Sequence, residues 1–402
     1  MNDKNQAFSM GRRWLIFSTV FVIGILAAYN MFKAPPLFSV IIPELGFTDE
    51  NVGWVMSMFG IIGVVLAFPA GAILNKLGIK KSLIITAASL AIGSALGAVA
   101  TNAGMLLASR VVEGIGMGLI SVVGPAAIAT IIPRAKQGLA MGLWAVWFPA
   151  GTVFAFNTAP ALSAALGWRS VWWTAAVLSV AALVFAALCY AQPPAEKTAE
   201  EAGAPAAALR KPDMRSILLV AIGFMVWNMF NAGAIGGFYP TFLQTVHAMD
   251  PQTAGFVASI TNICVLFLGP ISGVVSDKLG TRKGLLVFAF AGAAAFLAFG
   301  FGNNLALIYV FLIGYSFFSA SAATGTFSII PELTHQPEKI GFSMAIVAFL
   351  QNIGIVVGSA VFPVLAASLA WDWNTASLMF CVPLAVVGLV CSIFVREKAN
   401  KE

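Results

Sequence analysis

The chain of 402 residues is 60% hydrophobic and only 9% charged, with a formal net charge of +6. A soluble domain carries about 25% charged residues, so this composition excludes a water-soluble fold and indicates an all-α membrane protein with many spans. The positive balance does not indicate nucleic acid, because the basic residues sit in short clusters between apolar runs, as membrane topology requires.

In chain order, spans are expected at about 14–43, 51–74, 82–100, 104–131, 137–163, 170–191, 215–243, 252–275, 284–302, 305–330, 339–365 and 374–395. Such long continuous runs are unlike the short alternating strands of a membrane β-barrel. The first follows Arg12 and Arg13. It is too long for a cleavable signal, so it reads as a membrane helix with a basic flank. It is long for one span, and Pro35 and Pro36 can bend it. The one long connection, 192–214, is rich in Pro, Ala and charge and reads as a linker. It divides the chain into two expected bundles of six helices, 1–191 and 215–402. With both termini and the linker inside, 19 of the 22 Lys and Arg residues fall on inside segments and only Arg169 lies on an outside connection. This bias predicts a protein of the cytoplasmic membrane with both ends cytoplasmic. Lys33 and Arg110 remain, and both lie within spans.

The two halves repeat. Tyr29-Asn30-Met31-Phe32 matches Trp227-Asn228-Met229-Phe230 at an offset of 198 residues. Ile131-Ile132-Pro133 matches Ile329-Ile330-Pro331 at the same offset, and GAILNKLGIKK at 71–81 matches GVVSDKLGTRK at 273–283 at 202. Parallel repeats of this kind build transporters whose site lies where the repeats meet, near mid-membrane.

The segment between the second and third spans of each half resembles the signature loop of the major facilitator superfamily. Gly273, Asp277, Lys278, Gly280, Arg282 and Lys283 match it in the second half. Gly71, Lys76, Gly78, Lys80 and Lys81 match it in the first, where Asn75 stands in place of the usual aspartate. Arg110-Val111-Val112-Glu113-Gly114 resembles the family's fourth-span motif. The resemblance covers the chain and implies two pseudo-symmetric six-helix bundles that rock about a central site. Physically, Gly71 and Gly273 would allow close helix approach. Gly78 and Gly280 would permit a tight turn, and Asp277 could latch a helix N-terminus. These residues form the expected conformational gate. The fifth span, GLWAVWFPAGTVFAF, matches poorly the glycine-rich motif of drug/proton antiporters.

Ionisable residues inside spans are candidate functional groups. Tyr29, Asn30 and Lys33 share a helical face, as do Trp227, Asn228 and Asn231. Since the resemblance places spans one and seven at the central cavity, both triplets are expected at the substrate site, with Tyr315, Gln351 and Asn352. Trp144, Trp147, Asn157 and Asn262 are further polar or aromatic candidates. Glu113, three residues after Arg110 and near mid-membrane, is the expected proton-coupling acid with Arg110 as its partner. The alternative for that pair is a structural ion pair.

No Walker A pattern, nucleophile elbow or metal-ligand spacing occurs. Cys189, Cys264, Cys381 and Cys391 lie in apolar runs without a CxxC pair, and His247 and His335 stand alone. Neither an enzyme, a cofactor nor a metal is expected. One excess cation favours a small organic or inorganic anion as substrate, carried by a monomer in the bilayer with a coupling proton. The alternative is an efflux antiporter for drugs or metabolites.

Overall fold

The computed structural model describes residues 9–48, 50–190, 212–336, 339–370 and 372–396; the side chains at 134, 135, 277 and 279 lie outside that description. All but the last three residues of the expected 192–214 linker fall outside the described residues, as do both extreme termini.

The first-half helices are α1 (Met10–Phe32), α2 (Phe38–Leu45), α3 (Trp54–Leu66), α4 (Pro69–Ala98), α5 (Ala103–Ile131), α6 (Arg134–Trp144), α7 (Trp147–Leu166) and α8 (Arg169–Cys189). The second-half helices are α9 (Met214–Asn228), α10 (Gly236–Val246), α11 (Pro251–Leu279), α12 (Lys283–Leu297), α13 (Leu305–Thr334), α14 (Ile340–Ser368) and α15 (Trp373–Phe394). Among the described residues, ten helical segments are long and apolar enough to cross a membrane. Two shorter apolar helices, α3 and α12, stand where the second and ninth spans are expected. Short polar side chains start several helices: Asn102, Asp250, Asn304 and Asp372 each accept hydrogen bonds from backbone N–H groups of the first turn.

The long first span bends at its prolines. A 3-10 turn, Pro35–Leu37, joins α1 to α2, because proline lacks the N–H that an α-helix needs. Other breaks were not anticipated. The fifth span is divided at residues 145–146, between α6 and α7. The seventh passes through a π-helical segment, Met229–Ile235, between α9 and α10. The 71–81 segment, expected as a loop, is mostly helical and kinks at Gly78, with φ +75°. Gly280 ends α11 at φ +65°. Both glycines take a positive φ, which a residue without Cβ adopts freely, but only Gly280 is in the left-handed helical region.

The first-half helices pack with one another, as do those of the second half. The two sets meet along two long seams, α3 on α14 and α7 on α11, and where the Pro35–Leu37 turn and α2 meet α10 and α11. The seams are tightest where α3 and α11 begin. A Cβ on Gly53 would collide with the Ser359 carbonyl, and one on Gly255 with the Phe156 carbonyl. Ser57 and Ser359 hydroxyls lie 2.9 Å apart, and Asn157 donates to Ser259 Oγ at 3.1 Å. By contrast, the expected close-approach glycines lie open. Gly71 has nothing within 4 Å of an added Cβ, and Gly273 would meet only Thr324, at 3.9 Å.

Candidate functional site

Three ionisable side chains are fully buried inside the first-half bundle: Lys33, Arg110 and Glu113. No other charged side chain is buried among the described residues. Lys33 ends α1 just where the prolines break it, so its side chain turns in among α4, α5 and α8. Its Nζ donates to Glu113 Oε1 at 2.7 Å, to Asn30 Oδ1 at 2.6 Å and to Ser94 Oγ at 3.0 Å. It also lies 4.8 Å from the centre of the Trp172 ring, a favourable cation–π distance.

Arg110 completes the group. Its Nη1 donates to Glu113 Oε2 at 2.5 Å and to the Asn30 carbonyl at 2.6 Å. Nη2 donates to the Met31 carbonyl at 2.8 Å, and Nε to the Val55 carbonyl at 3.1 Å. One guanidinium thus ties α1, α3 and α5 together. Its carbonyl partners lie where α1 ends and α3 begins. The cluster holds two cations against one carboxylate and carries one excess positive charge.

Sequence reasoning had Lys33 facing a central cavity and Glu113 beside Arg110, with Lys33 as another candidate neighbour. The structure brings all three together and encloses Lys33 within its own bundle, with zero exposure. That burial excludes a lysine reaching up to lipid headgroups. Two members of the cluster went unnoticed, Ser94 and Trp172. Gly93 was the available signal, since its missing Cβ lets α4 lie against the backbone of Glu113 and brings Ser94 into reach.

Tyr29 leaves its expected partners. Its ring packs 5.1 Å from Phe154 and borders a separate cavity of about 340 Å³ with Asn157, Thr158 and Thr174. In the second half, Asn231 accepts a hydrogen bond from the Tyr315 hydroxyl at 2.9 Å, and Trp227 stacks on Tyr315 at 5.8 Å. Asn228 is buried and donates to its own helix at Phe224. Asn352 is half-buried at the α3–α14 seam, where a Cβ on Gly63 would strike its side chain, and Gln351 beside it is half-buried. Asn262 is half-buried on α11. Trp144 and Trp147 stack on each other and fill space over Gly24 and Gly124, inside the first half.

Of the expected gate, Asn75, Lys76 and Lys278 are exposed. Arg282 donates to Ser276 Oγ at 2.9 Å and Glu332 at 3.3 Å, both in its own half. The Asp277 side chain lies outside the described residues.

The family model described as Major Facilitator Superfamily matches residues 20–245 and 224–402. The chain is 26% identical over 392 residues to the probable nitrate transporter NarT of Staphylococcus carnosus (strain TM300), covering 95% of this chain and 96% of that protein. It is 25% identical over 371 residues to the protein of the same name from Staphylococcus epidermidis, covering 91% and 92%. A crystal structure of a D-xylose-proton symporter superposes with a TM-score of 0.78 over 96% of this chain and 98% of that one, at 14% identity. The last likeness is one of fold.

Proposed function

The chain belongs to the Major Facilitator Superfamily, and from that premise we propose that it carries a small anion across the cytoplasmic membrane by alternating access, with a proton coupled to the movement. One observation carries the anion reading: the buried charges are Lys33, Arg110 and Glu113, which leaves one positive charge uncompensated in the bundle. An unpaired charge in a dry interior is costly, and an anionic solute passing between the halves offsets that cost. The relatives named as probable nitrate transporters agree with this choice of substrate class.

Alternating access is supported by the seams. The halves meet through close glycine and hydroxyl contacts at the helix starts and through aromatic pairs such as Phe38 with Phe238 and Phe68 with Phe349, discrete contacts that can part and rejoin. Lys and Arg placement puts the tight end of the seams outside, so the structure corresponds to a state closed to the outside. Both termini and the linker are then cytoplasmic. In this reading Asn231, Tyr315, Gln351 and Asn352 supply uncharged polar contacts to the solute, and the cluster supplies the field.

Purified protein in liposomes tests the proposal. Counterflow of labelled nitrate and of small carboxylates is expected for at least one of them. Exchange confined to neutral or cationic compounds would overturn the anion reading and restore the efflux alternative.

A further inference from the structure

The sequence makes Glu113 the natural proton carrier. The geometry points to a different atom: we infer that Lys33 Nζ takes up and releases the coupling proton, while Glu113 stays ionised. This inference rests on the anion reading and names the group that links proton to solute.

Charge comes first. The cluster stands at +1 with Lys33 as ammonium. A proton added to Glu113 would raise it to +2 in a fully buried site. A proton lost from Lys33 would bring it to zero, leaving the Arg110 guanidinium against the Glu113 carboxylate. Arginine does not release its proton in proteins. The only discharge that lowers the buried charge is therefore at Lys33.

Hydrogen bonding agrees. The ammonium uses its three protons on Asn30 Oδ1, Glu113 Oε1 and Ser94 Oγ. After loss of one proton the amine has two N–H groups and a lone pair. Asn30 and Glu113 can only accept at those oxygens, so they keep the two N–H groups. Ser94 can donate or accept, because a hydroxyl does both. Its oxygen already lies 3.0 Å from Nζ. That O–H faces Asn30 Oδ1 at 2.6 Å and Glu113 Oε1 at 2.9 Å. Turning it to Nζ satisfies the lone pair without moving a heavy atom, and both oxygens keep an N–H of the amine. In the balanced step an N–H bond of the ammonium breaks, its electron pair stays on nitrogen, and the proton leaves to water on the side then open. Glu113 lacks this freedom at Oε2, where Arg110 is a donor only, whereas at Oε1 the same Ser94 hydroxyl lies 2.9 Å away; the charge balance is therefore what selects Lys33.

The surroundings contain no rival. α4 and α8 offer Lys33 the uncharged Ser94 and Trp172, α5 offers Arg110 and Glu113, and α1 adds Tyr29, whose ring turns toward Phe154. The other charged residues of α1, α4 and α8 are Arg12 and Arg13, the lysines at 76, 80 and 81, and Arg169. Each is exposed or half-buried; Arg169 pairs with Glu44 and lies over Trp168, the ring that packs on Trp172, and α3 and α7 carry no charged residue. Binding an anion favours the ammonium, and by reciprocity the ammonium favours the anion. Anion and proton then travel together.

The experiment uses the full chain in liposomes with nitrate as probe. Wild type is expected to exchange nitrate, to accumulate it on a pH gradient and to take up a proton as nitrate binds. Above the titration its nitrate affinity should fall about tenfold per pH unit. Lys33→Arg, which keeps the charge but cannot discharge, should lose accumulation on the pH gradient, with exchange at equal pH measured beside it to show how far anion binding survives. Accumulation by Lys33→Arg would overturn the inference.

If Lys33→Arg fails to fold, infrared difference spectra of wild type decide. Proton uptake without a new carboxylic-acid C=O band supports Lys33, whereas a new band that moves on ¹³C-glutamate labelling assigns the proton to Glu113. Nitrate exchange without any proton uptake sinks the inference and leaves the anion reading standing. Absence of exchange in wild type with nitrate and with every small carboxylate removes both.

Discussion

The two halves place the same bonds at equivalent positions and fill them with different chemistry. Asn30 donates to the carbonyl four residues back, Leu26, at 2.8 Å; Asn228, 198 residues later, donates to Phe224 at 2.8 Å. Lys33 in α1 meets Glu113 in α5 at 2.7 Å, and the equivalent Asn231 meets Tyr315 of α13 at 2.9 Å. The offsets are 198 residues on one side and 202 on the other. The seams repeat likewise, since Gly53 and Ser57 correspond to Gly255 and Ser259 at an offset of 202. The repeat thus keeps a contact between the first and fourth spans of each half. Only one copy of it is ionic, so the two halves can share a fold while one alone responds to charge.

The largest effect should come from unbalancing the charged copy. Glu113→Gln leaves Lys33 and Arg110 buried without a counter-ion, and breaking a buried pair costs about 3–5 kcal/mol. Tyr315→Phe removes the equivalent neutral bond, worth about 0.5–1.5 kcal/mol. Thermal unfolding of both variants in detergent should show the first far less stable than the second. Equal losses would mean that the contact serves packing alone and that its charge is incidental.

A middle-sized effect should come from the seams. Gly255→Ala places a methyl group on the Phe156 carbonyl, an overpacking that costs about 1–3 kcal/mol. Because the halves can part, the protein should relieve this by leaving the state closed at that end. Labelling of a Ser57→Cys reporter, buried here, should then speed up. Gly71→Ala meets nothing and should leave the rate unchanged. If both glycine variants behave alike, the seam is not the moving contact.

Much of this was legible in the sequence. Hydropathy located ten spans as long apolar helices and the second and ninth as the shorter α3 and α12, and the repeat located the equivalent residues. The positive φ of Gly78 and Gly280 followed from residue type. What escaped has a common cause. Helical periodicity tells which residues share a face, not which helix that face meets. Asn30 and Lys33 do act together, but toward α4 and α5 rather than the opposite half. Lys33 and Glu113 are 80 residues apart, and no local pattern joins them. The breaks at 145–146 and Met229–Ile235 interrupt runs that stay apolar throughout, so hydropathy cannot register them. A motif glycine also differs from a packed glycine only through its neighbours, which is why Gly71 and Gly273 were read as contacts while Gly53 and Gly255 went unread.

The smallest expected effect tests whether the rule of one charged copy holds outside the membrane, where the polarity reverses. The start of α3 is organised by a neutral pair: Thr48 N–H donates to Asn51 Oδ1 at 2.8 Å, and Asn51 N–H donates to Thr48 Oγ1 at 3.3 Å. At the equivalent start of α11, 202 residues on, Asp250 accepts from the N–H groups of Gln252 and Thr253, both at 3.0 Å. The hydrogen bonds from Thr253 hold the Asp250 carboxyl below its ordinary value of 3.8. A carboxyl depressed in the folded state stabilises above its unfolded pKa and loses that contribution as pH falls through the folded one. Acidification below about pH 4 should therefore loosen the first turn of α11 and leave α3 unaffected. Amide exchange at 252–255 against 54–57, followed from pH 5 to about pH 3, reads the difference. Asp250→Asn keeps an acceptor at the helix start but cannot titrate, so its α11 amides should lose the pH dependence. A first turn of α3 that loosens in parallel would show a global acid effect instead, and the local asymmetry between the halves would fail at this position.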